Sequence, residues 1–214
     1  MKNKNLCSKS SDTRQKILCA ARTEFSENGF HGARVDRISE LAGINKRMLY
    51  AYFGNKEDLY KRVLLDVYGS LRIHEDALME RDADTEPMTA IANVIDLYFD
   101  FLMDNEIFVR MLMWENLNYA RCLKETYAYD IKKSMIDYIG TKIASGKQMG
   151  IFDAAASANS VTTALLTFVF SYFSNRHTLS MILGRNLADI AELDAHRSFV
   201  HKLITGYLKG VGDA

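Results

Sequence analysis

Apolar residues recur along this chain at spacings of three and four, and alternating stretches are too short for strands, so the pattern predicts an all-α protein. A first helix is predicted from Asp12 or Thr13, either of which can cap it, to Asn28. It turns Ile17, Leu18, Ala21 and Phe25 to one side and ends at Gly29. A second follows over Val35 to Ala42, with Ile38 and Leu41 inward. Gly43 then supplies the positive φ of a sharp turn, Ile44 plugs the corner, and Asn45 caps a third helix, Lys46 to Phe53. In that helix Leu49 and Phe53, four apart, face the core, which leaves Lys46, Arg47, Met48, Tyr50, Ala51 and Tyr52 over the remaining surface. Two helices joined by a short glycine-containing turn make a helix-turn-helix.

The periodicity continues to the end of the chain. A fourth helix is predicted to run to about Met79, before the charged loop at residues 80–86. Pro87 suits the first turn of a fifth, which reaches Met103 with Ile91, Val94, Ile95, Tyr98, Phe99 and Leu102 apolar. Further helices are predicted from Asn105 to Asn118 and from Arg121 to Ser145, with Gly146 and Gly150 marking a break. Asp153 is expected to cap an eighth helix ending near Asn175, and a last helix starts at Asp194 and ends near Gly206 or Gly210. The total is about nine helices. Residues 1–58 form an N-terminal arm and a three-helix, homeodomain-like helix-turn-helix domain, and residues 59–214 form a helical body.

Composition changes this picture in a few respects. With 48% hydrophobic residues over 214 positions the chain can build a packed core. The run from Val161 to Phe173 is shorter than the roughly 20 residues that span a bilayer, and Thr162, Thr163, Thr167 and Ser171 interrupt it, so a buried helix is expected and no membrane. The polar, basic N-terminus carries no secretory signal, which points to the cytoplasm. Cys7, Cys19 and Cys122 are scattered without a CxxC pair, consistent with a reducing compartment, and suggest neither a disulfide framework nor a zinc knuckle. The net charge is zero, yet residues 1–66 hold 13 Lys and Arg against 8 Asp and Glu, and the rest of the chain is acidic by the same margin. A basic head on an acidic body suits a protein that docks onto nucleic acid by one end.

The third helix is therefore the candidate reader of a major groove, where side chains of the first turn reach base edges. Arg47 can grip guanine O6 and N7, and Lys46 can reach a base or a phosphate. Met48 and Tyr50 offer apolar surface to a thymine methyl, and the hydroxyl of Tyr50 or Tyr52 can bond a phosphate. Arg34 and Asn45, at the starts of the second and third helices, complete the candidate DNA-binding set with Lys56. Lys2, Lys4 and Lys9 in the arm are further candidates for phosphate contact.

These residues also carry a family resemblance. From Thr13 to Leu59 the ordered series Phe25, Gly29, Phe30, Ile38, Ala42, Gly43, Leu49, Tyr50, Phe53, Lys56 and Leu59 resembles the N-terminal domain of the tetracycline-repressor (TetR) family. Asn45-Lys46-Arg47-Met48 departs from the Ser-Lys-Gly or Ser-Lys-Pro start common there, which changes the expected operator and not the fold. The resemblance implies that Lys56 binds a phosphate. The local sequence agrees, because Asn55 can cap the fourth helix with Asp58 at its third position, where an anion finds free backbone N–H groups.

The body offers two functions that draw on the same apolar residues. The eighth helix has an apolar arc, Ala154 to Ala156, Ala158, Ala164, Leu165, Phe168, Val169 and Tyr172, too wide for one intramolecular contact. With Phe199, Val200, Leu203, Ile204 and Tyr207 of the last helix it can form a four-helix dimer bundle, and the resemblance also implies a homodimer. A pocket for a small hydrophobic or aromatic effector is expected from Phe99, Met103, Phe108, Met111, Trp114, Tyr119, Tyr127 and Phe170, with His74, Glu115 and Asn118 as orienting polar groups. Taken residue by residue, plain core is the favoured reading of each. No HExxH, GxSxG or phosphate-cradling glycine loop points to an enzyme or a cofactor. Glu192, His196 and His201 have only a hint of metal spacing, since the two histidines are five apart and share a helix face poorly.

The expectation is a homodimeric, ligand-responsive transcriptional regulator, most simply a repressor, on a double-stranded, near-palindromic operator. The alternatives are a ligand-independent architectural DNA-binding dimer, a helical enzyme or a metal-responsive protein.

Overall fold

The computed structural model describes residues 12–124 and 128–210, which contain ten helices and no strand. They are α1 (Thr13–Gly32), α2 (Val35–Ala42), α3 (Lys46–Phe53), α4 (Lys56–Arg81), α5 (Pro87–Asp104), α6 (Glu106–Leu117), α7 (Arg121–Lys124), α8 (Ala128–Gln148), α9 (Ala158–Leu183) and α10 (Ile190–Lys209). The arm lysines Lys2, Lys4 and Lys9, and Tyr127, lie outside the described residues. Two compact units divide the chain: residues through Ser70 with Glu106–Tyr129, and Leu71–Asn105 with residues from Asp130 on. The boundary expected between residues 58 and 59 falls in the first turn of α4, a helix that supplies residues to both units.

In the first unit α1 packs on α2 and α6, and α2 packs on α3. Asp12 caps α1, its carboxylate accepting from the Arg14 N–H at 2.9 Å. Ile17, Leu18, Ala21, Phe25, Ile38 and Leu49 are buried as their spacing predicts; Leu41 is not, and stays exposed. Gly29 interrupts α1 with φ 64° and ψ −179°, so the helical pattern breaks there and resumes for one short turn to Gly32. The buried Glu24 reaches from α1 to accept the Arg34 N–H at 2.9 Å, which satisfies an orphan donor at the start of α2.

In the second unit α5 packs on both α9 and α10, which also pack on each other. The six apolar residues expected inward on α5 are all buried, and Pro87 stands in its first turn. The charged loop before it is ordered by Lys142 of α8, whose buried ammonium donates to the carbonyls of Asp82, Ala83 and Thr85 at 2.8–2.9 Å.

Several expectations are corrected. Among the described residues the predicted seventh helix corresponds to α7 and α8, and it runs past Ser145 so that Gly146 lies inside α8. A Cβ there would sit 2.2 Å from the Phe152 ring, so this glycine serves close packing and does not end the helix. Ser157, not Asp153, caps α9. Asp153 instead closes its own turn, accepting the Ala155 N–H at 2.6 Å while its N–H donates to the Leu208 carbonyl. Ala154 to Ala156 therefore precede the helix, which extends beyond Asn175 to Leu183. The last helix starts earlier than Asp194, at Ile190. Cys19 is disulfide-bonded against expectation, and Cys122 is a half-buried thiol.

Candidate nucleic-acid interface

The third helix has the predicted bounds and cap. Asn45 accepts the Met48 N–H at 2.8 Å, and Gly43, with φ 67°, makes the left-handed turn that aims α3 away from α2. Leu49 (0% exposed) and Phe53 (7%) fix the helix to the core. Met48 (38%), Tyr50 (39%) and Tyr52 (46%) face outward with Lys46 and Arg47. The Arg47 guanidinium makes no ion pair among the described residues, whereas Lys46 lies 3.0 Å from Asp36 of α2. The Arg34 side chain is exposed at the start of α2.

Sequence reasoning missed Arg14, whose guanidinium lies 5.4 Å over the Phe53 ring and brings a cation from α1 to the end of α3. Its signal is visible only afterwards, as a basic residue in the first turn of an α1 whose far end packs elsewhere.

Lys56 opens α4. Asn55 and Asp58 cap that helix reciprocally, with the Asp58 N–H donating to Asn55 at 2.9 Å and the Asn55 amide donating to the Asp58 carboxylate at 2.7 Å. The Lys56 ammonium sits 5.1 Å over the Phe30 ring and 3.5 Å from the His31 carbonyl. Partial burial pushes its pKa down, with Glu24 opposing. A partly desolvated cation backed by a ring and a carbonyl gains from an added anion such as phosphate.

The residues expected to line a pocket are divided between the units. In the first, Phe108, Met111 and Glu115 are buried, and Phe108 packs against Tyr68. The Glu115 carboxylate accepts from the Tyr60 hydroxyl and from the Leu123 N–H, both at 2.9 Å. Burial, with Glu115 adding to it, pushes Tyr60 and Tyr68 far above the ordinary tyrosine value, so both remain protonated donors. Trp114 is committed to α1, its indole N–H donating to the Ser26 carbonyl at 3.1 Å. Asn118 bonds back to the Trp114 carbonyl, and Tyr119 is exposed at a positive φ of 58°.

In the second unit Phe99 is core, packed on Phe173 and His196. Phe170 is half-buried, and Met103 and His74 are exposed. His74 borders an open cleft of about 510 Å³ that includes Arg81, Asp96 and Asp100 and contains no other member of the expected set.

The expected dimer residues also separate into two groups. Leu165, Val169, Tyr172, Val200 and Ile204 are buried within the protomer, because α5 covers that side of α9 and α10. Phe168, Phe199 (51% exposed), Leu203 (39%) and Tyr207 (42%) face outward with Leu166. The Phe168 and Phe199 rings meet edge to face at 6.4 Å, joining the outward faces of the two helices. Glu192, His196 and His201 do not converge. His201 pairs with Asp96 at 2.9 Å and His196 stacks on Tyr172, and no group able to hold a metal ion occurs among the described residues. Nor is any described helix long and apolar enough to cross a membrane.

The family model described as "Bacterial regulatory proteins, tetR family" matches residues 17–63, and "Tetracyclin repressor-like, C-terminal domain" matches residues 87–204. The HTH-type transcriptional repressor NicS of Pseudomonas putida is 34% identical over 178 residues, covering 83% of each chain. Among solved structures, the TetR-family regulator PfmR of Thermus thermophilus aligns with a TM-score of 0.70 at 18% identity, over 96% of this chain and 100% of that one. The fatty acid degradation regulator FadR of Bacillus halodurans aligns at 0.65 with 20% identity, over 95% and 100%. At such identities these two structures speak for the fold, while the family models and the repressor speak for the class. With its recognition helix presented outward, this chain belongs to the tetracycline-repressor family of DNA-binding transcriptional regulators.

Proposed function

We propose that the chain is a homodimeric repressor, acting in the cytoplasm, that places its two α3 helices in successive major grooves of a near-palindromic operator and leaves it when a small hydrophobic or aromatic effector binds. The observation that carries this reading is the split of α3 into a buried pair, Leu49 and Phe53, and an outward face of Lys46, Arg47, Met48, Tyr50 and Tyr52. An exposed helix whose first turn is both cationic and side-chain capped matches groove-reading geometry. The DNA-contact set is Arg34, Asn45, Lys46, Arg47, Met48, Tyr50, Tyr52 and Lys56, with Arg14 added for its place beside Phe53. Asn45 already spends its side-chain oxygen on the cap, so its contribution is to hold the first turn.

Arg47→Ala tests the groove face. In a selection of bound duplexes from a random pool, the variant is expected to lose preference at one base pair of each half-site. That loss corresponds to about 1–3 kcal/mol of discrimination for a bidentate arginine–guanine contact. An unchanged profile removes Arg47 as a base reader.

Release by an effector rests on linkage. Two-fold symmetry sets the half-sites about one helical turn, roughly 34–36 Å, apart, so any change in the spacing of the two heads weakens binding. Because α4 supplies residues to both compact units, an effector that shifts it acts on that spacing. The compound must then bind the free protein more tightly than the DNA-bound one, and DNA must weaken its binding by the same factor. Trp114, the single tryptophan, gives the readout. An aromatic compound that releases the selected duplex is expected to change Trp114 fluorescence with an apparent affinity that falls when the duplex is added. Equal affinity with and without DNA contradicts effector control.

A further inference from the structure

The cations of the proposed DNA face are not equally available. Arg47 makes no ion pair among the described residues, while Lys46 is 3.0 Å from Asp36 and Arg37 is 3.2 Å from Glu40. Both acids belong to α2, where Glu24 satisfies the Arg34 N–H and Arg34 makes no side-chain cap. Asp36, in the first turn of α2, sets its carboxylate across the corner against the first residue of α3. An acid among groups that must meet phosphate is an electrostatic cost in any mode of DNA binding that depends on charge alone.

From this geometry we propose that Asp36 is a specificity-determining, positioning residue, acting through Lys46 and resting on the reading of α3 as the groove helix. A lysine ammonium has three N–H donors. Asp36 takes one and anchors the group at the α2–α3 corner, so the remaining donors point from the first turn of α3 toward base-edge acceptors. The same pair removes Lys46 from the set of cations that contribute to binding of arbitrary sequence. A lysine matched by its own carboxylate releases no net counterion when it meets a phosphate, and the carboxylate repels the backbone. Asp36 thus lowers affinity for the wrong DNA more than for the right one, which is how discrimination is gained by opposing a competitor. Asp36 also holds the Lys46 ammonium above the ordinary lysine value, chiefly through their hydrogen bond.

The test uses the full chain and two duplexes, one selected from a random pool by the wild type and one of the same composition scrambled. Asp36→Asn is expected to tighten binding of the scrambled duplex about tenfold, to steepen the dependence of log affinity on log salt by about one, and to blur the base preference at one position per half-site. Asp36→Glu is expected to keep most of the discrimination. Asp36→Ser, well suited to a first turn, is expected to repeat the asparagine result. In a Lys46→Ala background the change in salt slope disappears. A role limited to the stability of α2 shifts the melting temperature and leaves the slope and the selected profile alone, and that result overturns the proposal. If Lys46→Ala itself leaves binding of both duplexes unchanged, the placing of Lys46 against DNA is wrong. If Lys46→Ala weakens the selected duplex while Asp36→Asn changes nothing, the placing stands and the role of Asp36 falls.

Discussion

Gly29→Ala is expected to lower the melting temperature by about 10 °C and to weaken DNA binding as well. Two independent penalties meet at this position. Its backbone, at φ 64° and ψ −179°, lies in a region open essentially to glycine, and an alanine held there costs about 1–3 kcal/mol. The added Cβ would also lie 2.7 Å from two atoms of the Trp114 ring, in a site where the indole is tied to Ser26 and cannot simply swing away. Overpacking of this kind adds about 1–3 kcal/mol. The second penalty can be separated from the first. In a Trp114→Leu background the steric part of the loss should largely vanish while the backbone part remains, so a double-mutant cycle shows coupling. Additive losses would mean that the ring yields freely. The functional loss follows because the break at Gly29 sets the turn that carries Phe30 and His31. These supply the ring under Lys56 and the carbonyl beside it. Thermal melts and binding to a selected duplex check the two halves separately.

The contrast between Gly29 and Gly146 shows what was legible in the sequence. Both were expected to end helices. Gly29 breaks the helical run inside α1, with a positive φ, whereas Gly146 is helical and small because Phe152 lies on it. A glycine's backbone role and its packing role look alike until the partner ring is known. The head was readable because its determinants are local: the Asn45 cap, the Gly43 turn, and the four-residue spacing of Leu49 and Phe53 each act within one or two turns. Even there, the acid that satisfies the start of α2 comes from Glu24, ten positions away, and the cation at the end of α3 comes from Arg14.

In the body the determinants are tertiary. The sequence predicts a wide apolar arc on the eighth helix, but only the packing of α5 tells which part of it is spent inside the protomer. Leu165 and Val169 were thus grouped with Phe168 although they point into the core. The expected pocket mixed residues of two compact units for the same reason, since apolar periodicity marks burial without naming what is buried against what.

The face left over on α9 and α10 leads to the other large effect. On α10 the buried set Val200, Ile204 and Leu208 and the outward set Phe199, Leu203 and Tyr207 are each spaced by four, and adjacent members lie about 100° apart around the helix. The second set is left about half exposed in the protomer. In a two-fold bundle each copy presents the same patch, so a single substitution is introduced twice. Leu203→Glu places two carboxylates in that seam, at about 3 kcal/mol or more each if uncompensated, which raises the dimer dissociation constant about ten-thousandfold. Light scattering at micromolar concentration is then expected to show a monomer. Because Leu203 is exposed in the protomer, the helical circular dichroism and the melting transition of the variant should still show a folded chain. Ile204→Glu, one residue on, should unfold the protomer instead. Loss of the dimer removes the coupling between half-sites, and affinity for the selected operator should fall about 10²–10⁴-fold while binding to an isolated half-site is kept. A Leu203→Glu protein that remains dimeric, or a monomer that keeps full operator affinity, would place the symmetry axis on another face.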